Sequence, residues 1–263
     1  MHIQYYDIGL NLFTRSFPDP ERIIADAEAA GIRCILTGSE ARDNEQVNAF
    51  TKTHDLYGTA GIHPHCTDTA KEEDIARIRE IIQSNPRIVA VGETGLDYDH
   101  MYAKKENQLR FFKKLIDLAE ELKKPMFLHE RDAAEDFIRC FEGHDELCRR
   151  SVVHCYTGDR ATLEKLLDMG FYIGITGWIC DERRGDDLRD AVKILPLDRV
   201  MVETDAPYLT PRGFRLPRTN VPQNIVYVAE TLARYMGVSQ EELEKAAREN
   251  TEKLFRISGQ EEK

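Results

Sequence analysis

Four short apolar runs in this chain each end in a side chain that can bind a metal or move a proton. VAVGETGLD carries Glu93, MFLHERD carries His129, VVHCYTG carries His154 and VMVETDAPY carries Asp205. Two imidazoles and two carboxylates form a ligand set for Zn, Mn or Fe and, with more oxygen, for Mg. One carboxylate can bridge two ions. Ions ~3.5 to 4 Å apart acidify a bound water and neutralise charge developing on attacking and leaving oxygens. Asp205 suits the part of ligand, of the base that takes the proton from that water, or of both at different stages. Pro207 follows closely and ends the strand there. A lone histidine in an apolar run is more often a satisfied core side chain than a ligand. Four such residues at four strand ends point instead to one metal site.

Further candidates lie on the turns beyond other strands. AGIHPH supplies His63 and His65 with Pro64 fixing the turn between them, placed to touch a metal-bound water or a substrate phosphate, or simply to hold the loop. WICDERRG and PYLTPRGFRLPR bring Arg183, Arg184, Arg212, Arg215 and Arg218 to loops after the seventh and eighth strands. Those loops often bind phosphate in barrels of parallel strands, and the arginine fork matches phosphate oxygens. The competing reading is that Asp181, Glu182, Asp186 and Asp187 merely neutralise Arg183 and Arg184. Trp178, Tyr98, Tyr156 and Tyr208 also fall just past strand ends, where rings stack on bases or only pack. His2, His54, His100 and His144 read as surface or helix residues.

These side chains need a scaffold that gathers strand ends. Apolar runs alternate with helical patterns along all 263 residues, which is the pattern of repeated βαβ units. Strands are expected to begin near Tyr6, Cys34, Tyr57, Ile88, Met126, Val152, Tyr172 and Val200. Eight of them predict a TIM (β/α)8 barrel, an α/β fold whose active sites sit at the carboxyl ends of the strands. Glu106 to Leu122 places Leu109, Phe112, Ile116, Ala119 and Leu122 on one helical stripe, and Ile75 to Ile82 and Ala161 to Met169 repeat the theme. Two last helices, Ile225 to Met236 and Glu241 to Phe255, are separated by Gly237 as a stop and by Ser239 with Glu242 as a capping box. With no linker-like tract, residues 1–263 are expected to form a single domain.

Composition narrows the function further. A formal net charge of -11 disfavours broad attraction to nucleic acid or anionic membranes, so an anionic substrate must be held by metal ions and a few arginines. No apolar run reaches the roughly 18 residues of a membrane span, and MHIQYYDIGL does not read as a secretion signal. A cytoplasmic protein is expected, with its six scattered cysteines reduced. No heptad or apolar surface stripe calls for a partner, so a monomer is expected.

DIGLN, AGIHPH, VGETGLDY, HERDA, HCYTG, YIGITGWICDERRG, ETDAPYL and NTEKLF occur in order, nearly end to end. Through them the chain resembles the TatD-type metal-dependent deoxyribonucleases. The resemblance implies an amidohydrolase-like barrel that uses Mg2+, with Mn2+ or Zn2+ as alternatives. It implies a 3′ to 5′ exonuclease that cuts phosphodiester bonds of single-stranded DNA and, as a further substrate, RNA, with DNA repair as its setting. It assigns Glu93, His129 and His154 as ligands and Asp205 as the acidic catalytic residue or ligand. Many members open with Asp-x-His-x-His on the first strand. Here Asp7, Ile8, Gly9, Leu10 and Asn11 stand there, which weakens the first ion's site. DIGLN, ITGW and CDERRG are similar to the bacterial TatD subgroup, where Asn11 is left to offer an oxygen to an ion or its water. One ion is therefore expected to bind tightly and a second only with substrate. Two other functions suit the same residues. One is metal-dependent hydrolysis of an amide or ester, including an aminoacyl-tRNA ester, and the other is a non-catalytic nucleic-acid-binding barrel.

Overall fold

The structure is a computed structural model that describes residues 3–257; His2 lies outside them. In chain order the elements are β1 (Tyr5–Leu10), α1 (Pro20–Ala29), β2 (Ile32–Leu36), α2 (Ala41–Thr53), β3 (Tyr57–Ala60), α3 (Glu72–Ser84), β4 (Ile88–Asp97) and α4 (Lys105–Leu122). There follow β5 (Met126–Arg131), α5 (Ala134–Cys140), α6 (Asp145–Arg149), β6 (Val152–His154), α7 (Arg160–Met169) and β7 (Tyr172–Ile175). The chain ends with α8 (Asp186–Ala191), β8 (Val200–Val202), α9 (Ile225–Met236) and α10 (Gln240–Phe255).

The eight strands form one sheet in the order β1 to β8. Pairing is parallel from β3 through β6 and between β7 and β8, and Leu10 of β1 bridges Ala206 just beyond β8. This is the (β/α)8 order the sequence predicts. Six strands begin at the expected residue, while β1 and β2 begin slightly earlier, at Tyr5 and Ile32. Strands β1, β2, β4, β6, β7 and β8 are buried at every position. Parallel strands covered on both faces read as unbroken apolar runs, and so the sequence located them well. All six cysteines are free thiols, and among the described residues no helix is long and apolar enough to cross a membrane.

Contacts group the chain into two compact units, one of Leu36–His154 with Met169–Phe171, the other of the remaining described residues. In the first unit, α4 packs on β4 through a face containing Phe111, Phe112, Leu115 and Ala119, all fully buried. Phe112, Phe137, Phe141 and Phe171 stack into one aromatic cluster with ring centroids 5.0 to 6.0 Å apart. Gln108 of α4, also buried, accepts from the Asp97 N–H at 2.8 Å and donates to the Asp97 and Ala103 carbonyls at 3.0 Å. This one amide fixes the carboxyl end of β4. Along β4 the register against β5 is irregular: Val91 pairs with Met126, but Thr94 already pairs with Leu128. An extra residue of this kind re-aims the side chains around it, and here the interrupted stretch contains Glu93. Gly92 and Gly95 make the close approach feasible. Their φ values are +144° and +150°, and a Cβ on Gly95 would lie 1.8 Å from the His129 carbonyl oxygen.

In the second unit, α9 stops at Gly237 with φ 73°, and α10 starts with the expected box, in which Ser239 and Glu242 each bond the other's backbone N–H. Asn250 of the NTEKLF motif donates to the Leu197 and Val200 carbonyls at 2.8 Å, tying α10 to the start of β8. Asp7 of β1, fully buried, accepts from the Thr204 N–H at 2.8 Å and from the Thr204 hydroxyl, which binds β1 to the segment after β8. Burial pushes the Asp7 carboxyl up to about 7, against the downward pull of the Thr204 bonds.

Two outcomes are expected. Gly95→Ala should destabilise the protein on the order of 3 kcal/mol or more, because backbone conformation and close approach are both violated; thermal unfolding would show it. Asp7 keeps its proton in the folded state above the pH at which the unfolded chain loses it. Its contribution is therefore full below about 3.8 and falls as pH rises through about 7. Asp7→Asn should remove this slope, so that variant and wild-type urea stabilities diverge by up to about 4 kcal/mol between pH 4 and 8. Parallel curves would mean that Asp7 is ionised in the fold.

Candidate metal centre

Three histidines from three elements aim at one oxygen of Glu93. His154 Nε2 lies 2.8 Å from Glu93 Oε1, His129 Nδ1 3.1 Å and His63 Nε2 3.2 Å. His129 and His154 are directly paired in the register of β5 and β6, and β4 adjoins β5, so neighbouring strand ends supply these groups. His63 comes from the turn after β3, held by the bond from its own N–H to the Ser39 carbonyl. Glu93 is 5% exposed and His154 3%. Burial works to raise the Glu93 carboxyl, yet the surrounding His63, His154 and His129 overcome it and hold the group well below the usual carboxylate range.

The hydrogen bonds sort these imidazoles into roles. His63 Nδ1 accepts from the His65 N–H at 3.1 Å, so a neutral His63 carries its proton on Nε2, facing Glu93. Burial lowers His63, which favours that neutral form. His63 therefore orients the carboxylate and has no free nitrogen for a metal. His129 has carboxylates at both nitrogens: Glu93 at Nδ1, and Asp97 Oδ2 at 3.3 Å from Nε2, within ion-pair range but off hydrogen-bond alignment. Burial opposes its charged form, but Asp97 and Glu93 outweigh burial and raise it. A carboxylate behind a histidine, on the nitrogen turned away from the metal, is the usual means of fixing a metal-binding imidazole's tautomer. Two imidazole nitrogens and a carboxylate oxygen, from His129, His154 and Glu93, fit a divalent cation by donor type. The His129 nitrogen with no aligned hydrogen bond is Nε2, on the Asp97 side, so the nitrogen turned toward Glu93 is Nδ1. The ligand atoms of His63, Glu93 and His129 all lie within 4.8 Å of one another.

Asp97 escaped the sequence reading, although it stands four residues beyond Glu93 on β4. Even spacing along a strand puts two side chains on one face, and that signal was available. By sequence, His100 reads as a surface or helix residue. It is half-exposed, yet its Nδ1 lies 2.9 Å from Asp97 Oδ2.

In the other unit, Asn11 Nδ2 donates to Asp205 Oδ1 at 2.8 Å. Asp205 has φ 54° and precedes a cis Ala206-Pro207 bond, and Asn220 holds the turn by donating to the Thr204 and Tyr208 carbonyls at 3.0 and 2.7 Å. Asn11, which stands at the end of β1 in place of a histidine, thus fixes the Asp205 carboxylate. The arginines converge as well. Asp181, buried, takes two side-chain bonds from Arg183 at 2.9 and 3.0 Å, and Arg212 and Arg184 approach it at 3.2 and 3.4 Å. The Arg183 guanidinium, with Arg212 adding to it, holds the Asp181 carboxyl well below the usual range. Neutralisation by acids is thus real but incomplete, since one carboxylate faces three guanidiniums. Arg184 also lies 4.0 Å above the Trp178 ring, and Trp178, Arg184, Arg212, Phe214 and Arg218 help to line a cavity of about 550 Å3. Tyr208 is 56% exposed, as stacking on a base requires, and Tyr98 bonds Asp136 at 2.9 Å. Tyr156 is fully buried with its hydroxyl on the Asp159 carbonyl, so it packs the core and is not a stacking platform.

Taken with the strand order, a histidine and carboxylate cluster at the ends of parallel strands defines an amidohydrolase-like TIM-barrel hydrolase that depends on a divalent metal. Over 98% of its length the chain superposes with TM-score 0.89 on the whole of YjjV, a TatD homolog from Escherichia coli K12, at 27% identity. A TatD family hydrolase from Entamoeba histolytica shares the fold with TM-score 0.86 over 97% of this chain and 98% of its own, at 24% identity. The chain is also 39% identical over 257 residues to the 3′-5′ ssDNA/RNA exonuclease TatD of Erwinia amylovora, covering 95% of this chain and 99% of that one. The TatD related DNase family matches residues 6–256, and the chain belongs to it.

Adding Mn2+ or Zn2+ to metal-free protein should raise its melting temperature. His154→Ala should weaken that binding at least ~10-fold, a loss already typical of altered metal-site partners. Calorimetric titration of both proteins gives the comparison, and equal affinities would remove His154 from the site.

Proposed function

We propose that residues 1–263 act as one nuclease domain that releases nucleotides from the 3′ end of single-stranded DNA, and of RNA, with Mg2+ as the working ion and Mn2+ or Zn2+ as substitutes. The observation that carries this reading is the convergence of His129 and His154 with buried Glu93, a set suited to a hydrolytic cation. Relatives named as 3′-5′ exonucleases of single-stranded DNA and RNA support the substrate and direction.

Each residue has a part in this reading. Glu93, His129 and His154 hold the ion, and His63 and Asp97 fix the orientation of Glu93 and His129. When bound, the ion makes water a nucleophile near neutral pH and offsets charge on the phosphate. Asp205, steadied by Asn11, accepts the proton from the attacking water, as the family resemblance implies, or serves as a further ligand. His65 and the guanidiniums of Arg183, Arg184 and Arg212 bind the phosphate backbone, giving an acidic chain a local positive surface. With Mg2+, a second ion would be held only when substrate is bound. The setting proposed is a cytoplasmic monomer serving DNA repair.

The test is digestion of single- and double-stranded DNA and RNA, labelled separately at each end, with and without Mg2+, Mn2+ and Zn2+. Metal-dependent loss of the 3′ label from single strands is expected. Glu93→Gln and Asp205→Asn should fold normally and lose activity by about 100-fold or more, the scale of a general base or an electrostatic group. Wild-type activity in either variant, or turnover of a small ester far above that of DNA, would overturn the assignment.

A further inference from the structure

The Asp97 carboxylate repeats, four residues along β4, the arrangement found around Glu93. Three imidazole nitrogens again surround one carboxylate oxygen: His65 Nε2 at 2.6 Å, His100 Nδ1 at 2.9 Å and His129 Nε2 at 3.3 Å from Asp97 Oδ2. His129 faces both carboxylates, Glu93 through Nδ1 and Asp97 through Nε2. Asp97 is fully buried, and its other oxygen accepts the backbone N–H groups of Asp99 and His100 at 3.1 and 2.9 Å, which leaves Oδ2 directed at the histidines. Gln108 locks the Asp97 backbone from the opposite side.

The proton positions separate this cluster from its neighbour. His63 is committed by the backbone bond at its far nitrogen, which puts the proton on the nitrogen that faces the carboxylate. Among the described residues no hydrogen bond is made by the far nitrogens of His65 or His100, whose side chains are 27% and 46% exposed. Water can take the N–H at those positions, so both rings can present a lone pair toward Asp97. The ligand atoms of His65, Asp97 and His100 lie within 4.8 Å of one another. Tyr102 covers both rings, with centroids 4.7 Å from His65 and 5.6 Å from His100.

We infer that His65, Asp97 and His100 form a second cation site, selective for a transition-metal dication such as Zn2+, Mn2+ or Co2+. Two imidazoles and one carboxylate are the donors of the facial triad, which leaves positions open for water or a phosphate oxygen. Mg2+ prefers an all-oxygen shell and competes poorly for two nitrogens. The inference stands apart from the nuclease reading, because it concerns binding of the metal itself. It would give the chain a second cation beside His129 before any substrate arrives.

Metal-free protein titrated with CoCl2 gives the test, read as the number of equivalents bound and as the visible absorption of Co2+. Wild type should bind two equivalents, and His100→Ala one, with the circular dichroism spectrum unchanged because His100 lies on an exposed turn. Glu93→Gln should keep one equivalent, the one held by His65, Asp97 and His100, and excess MgCl2 should not displace it. The inference is overturned if His100→Ala binds as much Co2+ as wild type with equal affinity, or if Glu93→Gln binds none. Failure of Glu93→Gln to alter binding at all would instead count against the catalytic assignment of Glu93.

Discussion

A carboxylate buried as deeply as Glu93 stays ionised only because imidazole nitrogens crowd its outward oxygen. Removing such a group from water costs several kcal/mol, and that cost is offset only by close, well-aligned partners. The arrangement of β4 follows from that constraint. Glycines at positions 92 and 95 let the strand run against β5 with no side chain between them, and the irregular register turns Glu93 toward the histidines. Gln108 anchors the strand's end, and Asp97 braces His129 from behind. Much of this unit's polar interior thus serves to hold one anion in place, and an anion held among neutralisable nitrogens is a seat for a cation.

Electrostatics in the other unit follow a related logic with the opposite sign. In a chain with net charge -11, free guanidiniums would be drawn to scattered carboxylates. Burying Asp181 and gathering Arg183, Arg184 and Arg212 on it keeps three cations together in a fixed geometry with charge to spare. Trp178 under Arg184 adds an aromatic face to the same cluster. Asn11 on Asp205 and Thr204 on Asp7 show how the segment after β8 is tied to β1 by side chains as well as by the Leu10 to Ala206 bridge.

Strand positions, strand order and the residues of the buried histidine and carboxylate cluster were written in the local pattern. Strands buried on both faces must be written in apolar residues, so a charged or imidazole group at the end of such a run stands out. Glu93, His129 and His154 were legible for that reason, and α3, α4, α7, α9 and α10 were legible through their apolar stripes, Gly237 and the Ser239 box. Tertiary structure alone decided the roles. Which nitrogen of His63 bears the proton depends on a bond from the His65 N–H, and the part played by His100 appears only when the loop after β4 folds back. Likewise Tyr156, indistinguishable in sequence from Tyr208, became core because its hydroxyl found the Asp159 carbonyl. Alternation of apolar and polar residues records burial, whereas proton position and charge pairing depend on distances between residues remote in the chain, which local pattern does not encode.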